Sequence, residues 1–155
     1  VDMLDELAAD GDVLSVATAK PEPTAARIIE HVGLTDRFRV IAGASRDPGH
    51  GRRTKAEVIT EALVRLGVAD ALPAPDGAGA VARGVATPPT PPGVVMIGDR
   101  DHDVVGARCN GIACVGVTWG FGSADELRAA GAAVIVDTPG EVAAAVAATY
   151  RSGRP

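Results

Sequence analysis

With 155 residues and 46% apolar content, the chain carries enough hydrophobic material for one sizeable core, and a second independent domain is not expected. Its net charge of −5 is mild and spread along the sequence, which argues against a nucleic-acid face held by counterion release. No apolar run approaches the roughly 18 residues a spanning helix needs, and no charged-then-apolar leader opens the chain, so a cytoplasmic protein without membrane contact is expected.

The apolar pattern alternates between helical and strand spacing. Residues 3–9 read as helix, 13–17 as strand and 23–32 as helix. A short strand follows at 40–42, then a helix at 55–66 with Val58, Ile59, Ala62, Leu63 and Leu66 on one face. Between 72 and 93 lie six of the eleven prolines, with Gly77, Gly79 and Gly84 and no period. That stretch predicts an irregular surface loop, an insertion between a helix and a strand rather than a lid. Beyond it come a strand at 94–97, a helix at 103–110, a strand at 113–117, a helix at 123–130, a strand at 134–136 and a helix at 140–150. Three helix starts fit a reciprocal box of hydroxyl and carboxylate three residues apart: Thr54 with Glu57, Ser123 with Glu126, and Thr138 with Glu141. Strands that read as continuous apolar runs and alternate with helices predict an α/β fold, its parallel sheet covered on both faces. Ligands then belong at the carboxyl ends of the strands.

Polar residues suited to catalysis follow these strand ends and helix starts. Asp99, Asp101 and Asp103 come directly after the apolar run at 94–97. Plain helix capping, favoured by the helix dipole, is one reading of such carboxylates. Three within five residues also repel one another, and a hard divalent cation relieves that repulsion. Magnesium suits the site because it needs only one or two protein carboxylates beside water and substrate oxygens. Lys55 stands in the first turn of its helix, where the macrodipole disfavours a cation by roughly 0.3–1 kcal/mol, so an anionic partner is expected. The chain holds thirteen arginines but only two lysines, Lys20 and Lys55, so a compact ammonium stands at these two positions where arginine is the default. A solvated surface lysine is the alternative for each. Thr18 ends its strand and is followed by Ala19, so a hydroxyl and the next backbone N–H can both point at a phosphate oxygen; for a lone threonine, local turn chemistry is the alternative.

Taken in order, strand then Thr18, helix start with Lys55, and strand then Gly98-Asp99 with Asp103, the chain resembles motifs two, three and four of the haloacid dehalogenase-like (HAD) hydrolase superfamily. The stretches 16–21, 55–59, 98–104 and 116–123, the last reading Gly-Val-Thr-Trp-Gly-Phe-Gly-Ser, look like its phosphoglycolate phosphatase and 5'-nucleotidase-like branch. The resemblance implies a three-layer Rossmann-like parallel sheet with helices on both faces. It also implies magnesium-dependent hydrolysis of a small phosphorylated metabolite, phosphoglycolate or a nucleoside 5'-monophosphate, through an aspartyl-phosphate intermediate. By that similarity Thr18 and the Ala19 amide would hold the transferring phosphoryl group, and Lys55 would neutralise it and orient the nucleophile. Lys20 would lie close to the substrate phosphate or its leaving group. Asp99 would ligate Mg2+, and Asp103 would ligate through water or brace Lys55. The family often has Ser or Asn where this chain has Ala19.

The superfamily's nucleophile strand, with its Asp-x-Asp-Gly-Thr motif, and the helical cap that follows it have no counterpart in residues 1–155. Residues 1–7 resemble the helix before motif two, and Asp10 and Asp12 lie in polar turn sequence. The resemblance therefore makes residues 1–155 a partial core domain that lacks its first, central strand, with the nucleophile expected upstream. Two other readings stand beside the enzyme. A receiver-like signalling module also combines acids with Thr and Lys, but places its acidic pair first, the reverse of the order here. A remnant of the enzyme would bind phosphate or magnesium without turnover.

Cys109 and Cys114 read as reduced core thiols, and His31, His50 and His102 as surface or loop residues with no zinc-site spacing. Residues 49–55 hold the parts of a nucleotide loop in the wrong order, and Gly120-Phe121-Gly122 reads as a close-packed turn near the pocket. The missing strand leaves backbone unpaired on two sides, so the 155-residue chain alone is expected to be marginally folded and without magnesium-dependent phosphatase activity. Robust turnover of a generic aryl phosphate by the purified chain would refute this.

Overall fold

A computed structural model describes residues 1–45, 52–68 and 93–152. Chain contacts divide into two compact units, Val1–Asp70 and Ala71–Pro155. The loop expected at 72–93 lies outside the described residues except for Gly93, and so does His50.

The first unit runs α1 (Asp2–Ala9), β1 (Ser15–Pro21), α2 (Glu22–His31), a 3-10 turn at Thr35–Arg37, β2 (Val40–Ala44) and α3 (Lys55–Arg65). The strands β1 and β2 pair in parallel, with Ser15 opposite Val40 and Thr18 opposite Gly43. Both α2 and α3 pack against both strands. The apolar stripe of α3 is buried as its spacing requires, through Val58, Ile59, Ala62 and Leu63, while Leu66 caps the helix half-buried. Ala42, Val58 and Ala62 form one core cluster, joined by Ala17 and Val40. Small residues on the strands let the helix approach closely there.

The second unit runs β3 (Val95–Gly98), α4 (Asp101–Cys109), β4 (Ala113–Val117), α5 (Ala124–Ala130), β5 (Val134–Val136), a 3-10 turn at Pro139–Glu141 and α6 (Val142–Ser152). Its sheet is parallel throughout in the order β3-β4-β5. Helices α4 and α5 pack on each other and on the sheet, and α6 touches all three strands. Leu127 of α5 is fully buried and seats on Gly116 of β4, where a Cβ would stand 3.1 Å from its Cδ1. Gly131, at φ +93, ends α5 in the left-handed region that a side chain would strain.

This is the expected α/β architecture, parallel strands flanked by helices and a core without its first strand. Among the described residues hydrogen bonding makes two sheets, and β1 and β3 each have one neighbour. Burial follows: β4, flanked on both sides, is buried from Cys114 to Val117, whereas no residue of β1 and only Gly98 of β3 is buried. Several starts shift by a residue or two; the strand expected from 13, for example, begins at Ser15. The helix expected at 140–150 opens as a 3-10 turn, and the helix expected from 103 begins at Asp101. Among the described residues no helix is long and apolar enough to cross a membrane.

Leu127→Ala removes a fully buried side chain from a position closed by Gly116, and the site has little freedom to collapse. The expected loss is about 2–5 kcal/mol, measured by urea unfolding of the second unit's signal.

Candidate functional site

In the first unit, sequence-designated residues gather at the carboxyl end of β1. The capping box at Thr54 forms: Thr54 Oγ1 accepts from Glu57 N at 3.2 Å, and Glu57 Oε2 accepts from Thr54 N at 2.9 Å. It fixes the start of α3 and makes Lys55 its first residue. Hydrogen bonds from the backbone amides of Thr54 and Arg53 hold the Glu57 carboxyl below its ordinary range, outweighing its slight burial. From that start the half-buried Lys55 reaches β1, where its Nζ donates to the Ala17 carbonyl at 2.9 Å. Thr18 is the next residue, half-buried, and its Oγ1 accepts from the Lys20 amide at 3.2 Å. Thr18 thus uses the local turn chemistry and also sits beside the Lys55 contact. Ala19 and Lys20 are exposed. A cation, a hydroxyl and exposed backbone at one strand end can receive an anion.

In the second unit, Asp99 and Asp103 stand together after β3. Asp103 is 3% exposed, and its Oδ2 accepts from the amides of Asp99 and Arg100, both at 3.1 Å. The capping reading is therefore realised for this residue. Gly98 makes room for it: a Cβ there would lie 2.3 Å from the Asp103 Cβ. Asp99 is half-buried, and its Oδ2 accepts from the Phe121 amide at 2.8 Å. A Cβ at Gly120 would strike the Asp99 carboxylate at 2.2 Å and one at Gly122 the Asp99 carbonyl oxygen at 2.1 Å, so the turn closes on Asp99 only with glycine at these two positions. The close-packed turn expected there holds an acid. Asp101 points outward and accepts from the His102 amide at 2.7 Å, so it is not part of the pair. Among the described residues no group of three or more His, Cys, Asp or Glu could hold a metal, which leaves Asp99 and Asp103 as two hard oxygen donors.

Some residues around these positions were not evident from the sequence. Glu126 was expected to complete a box with Ser123. Ser123 Oγ does accept from Glu126 N at 3.1 Å, but the carboxylate turns to Arg100 Nε at 2.8 Å and Asp101 N at 3.0 Å. A charged donor outcompetes the neutral amide of the box. The hydrogen bond from Arg100 is the chief cause that holds the Glu126 carboxyl below its ordinary range. Glu22 and Arg52, at the end of β2, are linked at 2.8 Å. Their only sequence cue was position, one just after β1 and the other just before Lys55. His31 and His102 are exposed as expected, Cys114 is buried, and Cys109 is half-buried; both thiols are free.

A family model described as HAD-hydrolase-like matches residues 57–147. Among curated proteins, the chain is 42% identical over 79% of its length to tyrosine-protein kinase PtkA of Mycobacterium tuberculosis, covering 34% of that protein. It is 38% identical over 83% of its length to a 5'-nucleotidase of Pseudomonas aeruginosa, covering 48% of it. The chain thus spans half or less of the length of these relatives. Among solved structures, a predicted phosphatase from Clostridium acetobutylicum superposes with a TM-score of 0.73 at 33% identity, over 95% of this chain and 57% of that one.

Gly98→Ala forces Asp103 off the two amides it caps. The expected cost is about 1–3 kcal/mol, measured by denaturant unfolding. Gly140→Ala, where a Cβ meets nothing within 4 Å, is expected to stay within about 0.5 kcal/mol of the parent.

Proposed function

We propose a function from one premise: this chain belongs to the HAD-hydrolase-like family. In our reading both units are parts of one partial core domain. It belongs to a magnesium-dependent phosphatase of the phosphoglycolate phosphatase and 5'-nucleotidase-like branch, acting on a small phosphate monoester through an aspartyl-phosphate intermediate. The observation that carries the reading is the Lys55 Nζ contact to Ala17 O, which brings the helix-start ammonium to the strand end occupied by Thr18.

On this reading Thr18 Oγ1 and the Ala19 amide donate to the phosphoryl oxygens, and Lys55 offsets their charge and orients the attacking carboxylate. Exposed Lys20 meets the substrate phosphate or its leaving group. These are the roles phosphoryl transfer asks of a protein, since it depends on positioning and charge stabilisation more than on covalent chemistry. Asp99 and Asp103 fit magnesium by donor chemistry, two carboxylates with hard oxygens in a cradle closed by Gly98 and Gly120. Asp99 would hold it directly, and Asp103 would act through water. When bound, the ion supplies charge neutralisation to the phosphoryl group. The sequence 1–155 holds no Asp-x-Asp-Gly-Thr motif, and on this reading the nucleophile is a carboxylate that residues 1–155 do not supply.

A second reading rests on the 42% identity to a protein named as a tyrosine kinase. The same residues would support transfer of a phosphoryl group to a hydroxyl in place of water. A remnant that binds without turnover is the third.

The test is an assay of the protein as encoded, including any sequence before Val1, against a panel of phosphate monoesters with and without magnesium. Magnesium-dependent phosphate release is expected, with Asp99→Asn and Lys55→Met each lowering kcat by about 10²–10³. Transfer to an added tyrosine peptide without phosphate release would favour the second reading. Binding of magnesium and inorganic phosphate with no turnover would favour the remnant.

A further inference from the structure

Lys55 carries its charge at the first position of a helix, so its direction depends on where that helix starts. A shift of one residue turns a side chain by about 100° around the axis. The capping box holds the turn from inside α3. A second set of contacts holds it from outside, through the residues that lead into it.

Arg52 is fixed at two points to the end of β2 and at a third to Glu22. Its carbonyl accepts from Ser45 N at 3.1 Å, its Nε donates to Gly43 O at 3.0 Å, and its Nη2 donates to Glu22 Oε2 at 2.8 Å. Glu22, the first residue of α2, also accepts from Gly43 N at 3.2 Å and takes both Nη atoms of Arg65, at 3.0 and 3.2 Å. Gly43 permits this: a Cβ there would lie 2.5 Å from Glu22 Cα and 2.7 Å from Lys20 O. The contacts close a circuit from β1 through Glu22 to Arg52, then over Arg53 and Thr54 to Lys55, and back through Nζ to Ala17 of β1. The Arg52 and Glu22 side chains are 19% and 28% exposed, so the pair is better shielded than an ordinary surface bridge. Burial raises the Glu22 carboxyl, but the hydrogen bonds from Arg65 and Gly43 and the two guanidinium charges outweigh it and leave it below its ordinary range.

We propose that Glu22 and Arg52 are positioning residues that aim the Lys55 ammonium at the end of β1. The consequence for phosphate rests on the function proposed above; the aiming itself does not. Arg65 shares Glu22 but sits in the last turn of α3, away from Lys55 in sequence, so it serves as the control.

Residues 1–155 hold only two lysines, so with lysine labelled at Cε the signals of Lys20 and Lys55 are assigned by their loss in Lys20→Arg and Lys55→Arg. In the parent chain the Lys55 signal should stand apart from that of an exposed lysine, since its ammonium is held by Ala17. In Glu22→Gln and Arg52→Gln it should move toward the Lys20 position, while circular dichroism shows the helices retained. Arg65→Gln should lose stability yet keep the Lys55 signal. Titrating inorganic phosphate, the affinity read at Lys55 should fall about tenfold in the first two variants and stay within about twofold in the third. An unmoved Lys55 signal in both Glu22→Gln and Arg52→Gln overturns the proposal. So does a shift in all three variants that scales with their loss of stability. A parent chain whose Lys55 ignores phosphate, but whose signal still moves in the two variants, supports the aiming and counts against the phosphoryl reading instead.

Discussion

Carboxylates that accept backbone N–H groups at the turns between strands and helices organise this chain. Asp103 takes the amides of Asp99 and Arg100, Glu57 those of Arg53 and Thr54, Glu126 that of Asp101, Glu141 those of Asp137 and Thr138, and Glu22 that of Gly43. Each satisfies donors that a helix start or strand end leaves without a partner. Each also fixes a short polar segment in one conformation. For Glu22, Glu57, Glu126 and Glu141 the folded carboxyl lies below its ordinary value of 4.5. These groups bind fewer protons folded than unfolded near that value. Their contribution to stability is therefore complete above it and is withdrawn as pH falls through the lower folded values.

The same arrangement explains why half-buried strands can carry a well-defined site. With one neighbour each among the described residues, β1 and β3 lack the burial that fixes a central strand. Their carboxyl ends are held by side chains instead. Lys55 reaches back to Ala17, and Asp103 folds over Gly98 onto the next two amides. Asp103 comes from α4, the helix that follows β3, and Lys55 from α3, which packs on β1 and β2, so the packing of α3 and α4 transmits order to the residues at the strand ends.

Periodicity and capping made the element order legible, since α3 and β4 carry their apolar residues at the spacing their burial requires. Lys55 stood out for the same reason, as a cation at a helix start where the dipole disfavours it. Contacts between distant residues were not legible. Glu22 meets its partners 21, 30 and 43 positions away, and Asp99 meets Phe121 at 22, while local rules speak only of neighbours three or four apart. Ser123 and Glu126 had the spacing of a capping box, yet Arg100, 26 residues from Glu126, took the carboxylate. Spacing states what a side chain can reach; competition among donors decides what it binds. Glycines were the nearest thing to a signal, because Gly43, Gly98 and Gly120 each stand where a carboxylate-bearing residue comes too close for a Cβ.

These contacts also bear on how a ligand would be received. The acids are aimed by neutral amides, and the Lys55 ammonium donates to a neutral carbonyl. Hydrogen bonds of this kind hold a charged group in direction. On the proposed reading, a phosphoryl group arriving at Thr18 meets a cation already in place, and a metal ion arriving at Asp99 meets an oriented carboxylate. Little of the binding energy is then consumed in rearranging the protein, which is the condition under which fixed charges and dipoles favour a transition state over solvent. Arg52 and Glu22 fit the same logic. They neutralise each other and brace the turn before Lys55.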